Sequence, residues 1–321
     1  MSNLLRLLGR RLVALPIMVL GVTSLVFVVM ALSTADPARL ALGESASADA
    51  LASYRSSRGL DDPLLVRYGR SLANLVRGDL GESFTGVKIS EVVGRNFPIT
   101  LQLTLVGLAL AVALAVPLGI IAALYRDRWP DQVLRVFSIA SLATPSFWLA
   151  LLLIQTFGNI PGGRGWFPAV VTDWKSFFDD PGGYVEQIAL PALALAAPVA
   201  GSLTRVVRTA MVEELDRDYV RTAIGNGIPR RVVIARNVLR NALITPLTVL
   251  GLRVGYLLGG AVVIEIIFNI QGMGQLIFQG ITRNDVNIVQ GVTITVAIAF
   301  IFINMVVDLL YVLVNPRIRT V

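Results

Sequence analysis

The sequence predicts an all-α integral membrane protein of six transmembrane helices, and three observations predict it. Apolar residues make up 55% of the 321, and charged residues only 15%. Mean hydropathy is +0.71, so the chain has too little polar surface to cover a soluble core of its size. The apolar residues also gather into six stretches, each near the ~20 residues needed to cross ~30 Å of hydrocarbon. Helices are expected because lipid offers a backbone amide no partner outside its own segment, and the stretches are too long for ~10-residue barrel strands.

The stretches run from Leu12 to Leu32, Ile99 to Tyr125, Val133 to Phe157, Gln187 to Met211, Ala242 to Phe268 and Ile288 to Val314. The first, preceded by Arg6, Arg10 and Arg11, also has the outline of a secretory signal with Ser33-Thr34-Ala35 as a cleavage-like site. Its apolar run is longer than the ~7–15 residues of a signal core, so an uncleaved helix is expected. Residues 1–32 thus read as an N-terminus and first span, 33–98 as a loop subdomain, and 99–321 as a five-helix core. In the subdomain, Asp61 or Asp62 suits an N-cap and Pro63 the first turn of a helix through Leu64, Leu65, Val66 and Tyr68. Pro16, Pro117, Pro145, Pro191, Pro198 and Pro246 fall in or beside the spans, where kinks are expected.

Arginine placement sets the expected orientation. Basic residues cluster before the first span, at Arg126 and Arg128, from Arg205 to Arg240, and at Arg317 and Arg319, whereas the loops after spans three and five hold only Arg164, Lys175 and Arg283. By the positive-inside rule both termini are cytoplasmic and 33–98 is an external cap, a loop long enough to cross regardless of its charge. The net charge of +7 follows from this topology and needs no nucleic acid.

The polar insert at 212–241, between spans four and five, carries the most information. Asp216 or Asp218 can cap a first helix containing Tyr219, Arg221 and Ala223. Gly225 and Gly227 permit the left-handed turn that ends it, and Pro229 fits the first turn of a second helix. There Val232, Val233, Leu239, Ala242 and Leu243 recur near helical spacing, while Arg230, Arg231, Arg236 and Arg240 supply charge and Asn241 follows. A DNA-reading helix-turn-helix has this shape, yet both ends here are tethered to membrane spans. A plain basic loop explains the charge alone. Docking to a cytoplasmic protein explains the charge, the glycine-proline turn and the apolar stripe together.

Chemistry by the chain itself is not expected. It has no histidine and no cysteine, and no serine-lysine or paired-aspartate arrangement within the spans, which argues against an intramembrane enzyme. Its two lysines, Lys88 and Lys175, are not in a G-x-x-x-x-G-K-[ST] loop, so nucleotide chemistry belongs on another polypeptide. Metal is not expected either. A charge inside a span is costly and by default functional. Arg253 lies near the middle of the fifth span and Glu265 near its end, roughly 18 Å apart along a straight helix at ~1.5 Å per residue, so they cannot pair. Both are candidates for lining a pathway; a structural partner for Arg253 is the alternative. Asp308 reads as structural, and Gly255, Gly259 and Gly260 as points of close helix approach.

Asp218 to Gly227, with Arg230, Arg231, Val232, Leu239, Arg240, Asn241, Ala242, Leu243, Ile244 and Pro246, resembles the EAA loop of permease subunits of dipeptide, oligopeptide and nickel ABC importers. The resemblance extends in order to Asp36-Pro37-Ala38-Arg39, Gly59-Leu60-Asp61, Gly78-Asp79-Leu80-Gly81, Pro145-Ser146-Phe147-Trp148, Gly260 to Val263, Val289-Gln290-Gly291, Asp308 to Tyr311 and Pro316 to Arg319. These patches look like the family's first, B-type permease. The name-giving triplet is Arg221-Thr222-Ala223 here, Asn237 stands where histidine is often seen, and Gln271 where proline often precedes Gly272.

This resemblance implies a type I ABC importer permease fold in a bacterial plasma membrane. It implies a homologous second permease, two cytoplasmic ATPases carrying ATP and magnesium, and an external substrate-binding protein; this chain would bind no cofactor. The cargo implied is a short peptide, with nickel or another small solute as the alternative, and an ATPase-independent transporter or channel as the rival mechanism.

Overall fold

The computed structural model describes residues 2–32, 36–43, 45–83, 85–283 and 285–314. Ser33 to Ala35 and Pro316 to Arg319 lie outside the described residues, as do the side chains of Arg6, Arg10, Arg11 and Asp308. Among the described residues the only β pairing is two isolated bridges, and every longer element is helical. The chain forms two compact units, one built on Leu101–Ile270 and the other on Ser2–Thr100 with Gln271–Phe302.

In the second unit α1 (Ser2–Ala31) is followed by three short helices, α2 (Pro37–Leu42), α3 (Ala48–Arg58) and α4 (Leu64–Val76). Asp36 caps α2 by accepting the Ala38 N–H at 3.1 Å, and Ser47 caps α3 by accepting the Ala50 N–H at 3.3 Å. The expected aspartate cap of α4 is not found: Pro63 holds the N-cap position with no side-chain bond, and Asp62 instead pairs with Arg70 at 2.6 Å. The start of α5 (Ile89–Leu124), α13 (Met273–Thr282) and the start of α14 (Val286–Val314) bury Ile89, Met273, Leu276 and Val292 together. Two buried polar contacts fasten this core. The Met273 N–H donates to Thr100 Oγ1 at 2.7 Å, and Ser83 Oγ to Asp285 Oδ2 at 2.7 Å.

The first unit is organised around α8 (Pro181–Leu215), against which α6 (Trp129–Ala143), α7 (Ser146–Phe157) and α12 (Ile244–Phe268) all pack. In α8, 78% of the apolar window is buried against the rest of the chain, against 22–33% in α5, α12 and α14. Those three have surface to spare for lipid or partners; α8 does not. Small residues make its position possible. A Cβ on Gly201 would lie 2.6 Å from the Ser138 carbonyl oxygen of α6, and one on Gly119 of α5 would lie 2.6 Å from Val207. Pro191 and Pro198 sit inside α8 without ending it.

Four described helices, α5, α8, α12 and the Asn287–Val306 part of α14, are long and apolar enough to cross a membrane. α6 and α7 are together long and apolar enough for a fifth crossing, but they are bent by 104° at the break between them. The break falls at Thr144, whose extended backbone (φ −83°, ψ 120°) is the conformation that a following proline enforces. The expected kink at Pro145 is therefore a sharp corner. In α1, Pro16–Val29 is a shorter apolar segment.

The segment between α7 and α8 is tied to the start of α8. The Gln187 side chain exchanges two bonds with the Lys175 backbone, at 3.0 and 2.7 Å, and Asp180 caps α8 while pairing with Lys175 at 2.8 Å. The Lys175 ammonium, then the Gly183 N–H, hold the Asp180 carboxyl below its usual value of 3.8. Asp180 thus stabilises the fold above that value, and the contribution disappears as pH falls through the depressed folded-state value. Acid unfolding of wild type and Asp180→Asn should therefore differ at neutral pH and converge toward pH 2; parallel curves at every pH would contradict this. Replacing Gly201 with valine should destabilise the solubilised chain by about 1–3 kcal/mol through overpacking. Gly225, whose Cβ position is open, should accept alanine without loss in the same thermal unfolding assay.

Candidate functional site

The last turns of α8 lead directly into a surface helical pair. After Asp216 comes α9 (Asp218–Gly225), then a turn, then a helical run made of α10 (Arg230–Val233), a π-helical turn (Ile234–Val238) and α11 (Leu239–Ala242) that continues into α12. No side chain caps α9: Arg217 holds the N-cap position, Asp218 lies in the first turn, and Asp216 is engaged by Arg126 at 2.9 Å. Asp218 still suits the positive end of the helix dipole. The expected capping role of Asp216 or Asp218 is thus replaced by an ion pair and a dipole contact.

The turn closes as a Schellman motif. Ile228 N–H donates to the Ala223 carbonyl at 3.2 Å, and Gly227 N–H to that of Ile224 at 3.0 Å. Gly227 occupies the left-handed region with φ +83°, where a side chain would strain the backbone; Gly225 is helical. Pro229 stands at the N-cap of α10, one residue earlier than its expected first-turn place.

The π turn changes which residues face inward. Val233, Val238 and Ala242 are buried, with Ile234 and Leu239 partly so, whereas Val232 is 41% exposed. A spacing of five from Val233 to Val238 fits one face only because the helix widens there, so regular helical spacing misplaces Val232. These residues join Val220, Ala223, Leu203, Val207 and Met211 in one apolar cluster that seats the helical pair on α5 and α8.

Polar contacts set the remaining geometry. Tyr219 donates its hydroxyl to Glu214 at 2.8 Å and accepts the Asn241 amide at 3.4 Å, so it links α9 to both flanking elements. Burial, with the Glu214 carboxylate beside it, pushes the Tyr219 phenol above its usual value. Arg221, Arg230 and Arg231 line one cavity of about 710 Å³ with Arg126 and Arg128. Its one acidic lining residue, Asp216, is the one Arg126 holds. Asp218 and Arg240 are exposed nearby, on α9 and α11. The insert therefore has a seated apolar side and an arginine-rich open side, suited to a partner with acidic groups.

The two intramembrane candidates are not brought together. Arg253 donates to Ser202 Oγ at 2.7 Å, which ties α12 to α8. Glu265 is fully buried near the end of α12. Of the span glycines, Gly260 approaches Leu195 of α8, while the Cβ position of Gly259 is open.

A further charged group emerges from the structure. Asp131 in α6 is fully buried and accepts Arg208 Nε and a terminal guanidinium nitrogen, both at 2.6 Å. It also accepts from Arg135 at 3.1 Å and from the Asp127 N–H at 2.9 Å. Arg208 lies inside the fourth apolar stretch, and the cost of a charge there is the signal in the sequence that points to it. This bidentate pair fastens α6 to α8 just before α8 enters the insert.

Residues 115–320 match the family described as binding-protein-dependent transport system inner membrane component, and residues 4–104 match its N-terminal companion. The chain belongs to this family: it is a multi-pass inner-membrane permease of a binding-protein-dependent ABC importer, a non-catalytic membrane component that works with ATPase and binding-protein partners. It is 37% identical to a putative peptide transport system permease of Brucella abortus (strain 2308), covering 95% of this chain and 96% of that one. It is 38% identical to the probable D,D-dipeptide transport system permease of Escherichia coli (strain K12), covering 97% of each. The glutathione transport system permease of Salmonella paratyphi A is 36% identical, again over 97% of each.

Asp131→Asn removes one charge of a buried pair and leaves Arg208 uncompensated, so a loss of about 3–5 kcal/mol is expected. Thermal unfolding of the solubilised chain measures it. Asp131→Asn combined with Arg208→Met should recover part of the loss, because no buried charge is then left alone; additive losses would argue that the pair is not coupled.

Proposed function

We propose that the chain forms half of the translocation pathway of an ATP-driven importer of short peptides, and that 212–241 is where two cytoplasmic ATPases drive it. One observation carries the coupling role. The helical pair is seated on α5 and α8 by Val220, Val233, Val238 and Ala242, and presents Arg221, Arg230 and Arg231 on its open side. The relatives named for peptides, D,D-dipeptides and glutathione support the cargo. Orientation rests on the arginine distribution, which favours cytoplasmic termini and an external 33–98 subdomain.

In this reading a homologous second permease completes the pathway, and an external binding protein delivers the peptide. ATP and magnesium act on the ATPases. Their closure displaces α9 and α10, and α8 carries the displacement into the membrane because only Asp216 and Arg217 separate it from α9. Asp131 and Arg208 pass it to α6, whose corner with α7 gives the bundle a second rigid arm. Arg253 and Glu265 are the pathway candidates. The four other N–H donors of Arg253, beyond that given to Ser202, can meet a peptide carbonyl during passage.

Two measurements test this. Mild-detergent purification from the native membrane should bring down a second permease and ATPase subunits with ATP hydrolysis in the eluate; the chain alone, inactive under conditions that keep other complexes whole, would sink the assignment. In the reconstituted importer, Gly227→Val should leave ATP hydrolysis running while peptide uptake falls at least about tenfold, because the strained turn no longer seats α10. Unchanged uptake would count against the docking role.

A further inference from the structure

Within the unit formed by Ser2–Thr100 and Gln271–Phe302, helices α1, α3, α4 and α14 line a cavity of about 340 Å³. That is at the lower end of the roughly 300–1,000 Å³ typical of small-ligand sites. Phe27, Leu75 and Ile294 supply apolar lining. Most charges on it are already neutralised in place: Arg58 meets Glu82 at 2.9 Å and Arg70 meets Asp62 at 2.6 Å.

Arg67 differs from its neighbours. It is half-buried, it lines the cavity, and among the described residues no ion pair or side-chain hydrogen bond engages it. A guanidinium partly removed from water without a partner is unfavourable, and its planar fork matches a carboxylate in a bidentate pair. Asp79 lines the same cavity, and its carboxylate accepts only the Gly81 N–H, at 2.9 Å through Oδ1. Acceptor capacity therefore remains for an ammonium. The Asn74 side chain, also in the lining, adds an amide for a peptide backbone.

We propose that this cavity is a peptide subsite, in which Arg67 receives the C-terminal carboxylate of a short peptide and Asp79 its N-terminal ammonium. The inference rests on the peptide-importer reading above, and deepens it by placing recognition on the permease itself. A phosphate, free or on a lipid, satisfies Arg67 but meets repulsion from Asp79. A zwitterion satisfies both.

The test is equilibrium binding of radiolabelled alanyl-phenylalanine and of its C-terminal amide to the whole importer complex in nanodiscs, with the binding protein omitted. Wild type should prefer the free acid by roughly tenfold or more, the scale of one charge-assisted pair. Arg67→Gln should bring the ratio near one, and Arg67→Lys should keep part of it. Arg77→Gln, which removes an exposed charge outside the cavity, should leave the ratio unchanged. An acid-over-amide ratio that is the same in Arg67→Gln as in wild type overturns the subsite, as does a wild type that does not discriminate. Uptake by the complete importer, binding protein included, separates the two levels. Peptide uptake with no effect of Arg67→Gln on binding sinks the subsite alone, whereas absence of uptake for every short peptide tried sinks the cargo reading with it.

Discussion

The pair between Asp131 and Arg208 joins α6 to α8 through a fully buried carboxylate, and the packing of both helices is built around it. Burial leaves a charge no solvent to fall back on, so the carboxylate is held by four donors and the guanidinium is used twice. With that point fixed, α6 cannot slide along α8. The close approach at Gly201 then follows, since the backbone of α6 passes where a larger residue on α8 would stand. Further along, Arg253 fastens α12 to the same helix through Ser202. The central helix is therefore gripped at separate levels by polar contacts, and the apolar packing fills the space between.

This arrangement gives the polar insert its mechanical meaning. A surface helix pair that only rested on the membrane domain would absorb a push by sliding. Here it is joined to α8 by the two-residue turn Asp216-Arg217 at one end and runs into α12 at the other, and Tyr219 ties α9 across to Glu214 and Asn241. The π turn lets the second helix keep Val233, Val238 and Ala242 inward while its arginines stay outward. Such turns weaken a helix locally, and one is tolerated here where inward and outward faces must both be served.

Much of this was legible in the sequence because the signals are local or compositional. Hydropathy, length and the Gly227-Pro229 turn depend on neighbouring residues; the turn appears where expected, and of the six expected spans four appear as long apolar helices, one as the bent α6–α7 pair and the first as the shorter apolar segment Pro16–Val29. What escaped depends on contacts between distant residues. Asp131 looks like an ordinary first-turn acid until Arg208 of another helix arrives. The π turn leaves no mark in the spacing except an apolar step of five, which regular periodicity assigns to the wrong valine. Pro145 predicts a kink, but its 104° size is set by how α6 and α7 each pack on α8. In the short helices, Asp62 prefers a nearby arginine to the cap its position suggests.

The most direct test of the account is site-directed cross-linking at the insert. The chain contains no cysteine, so Arg221→Cys gives this chain a single reactive thiol on the open face of α9, and a maleimide carrying a benzophenone, which on illumination inserts into C–H bonds of whatever lies against it, can be applied in native membranes. A cross-linked product containing an ATPase subunit is expected, formed at a rate that changes when a non-hydrolysable ATP analogue is added. A thiol at Arg221 that captures no ATPase, while the complex is shown to be intact, would contradict it.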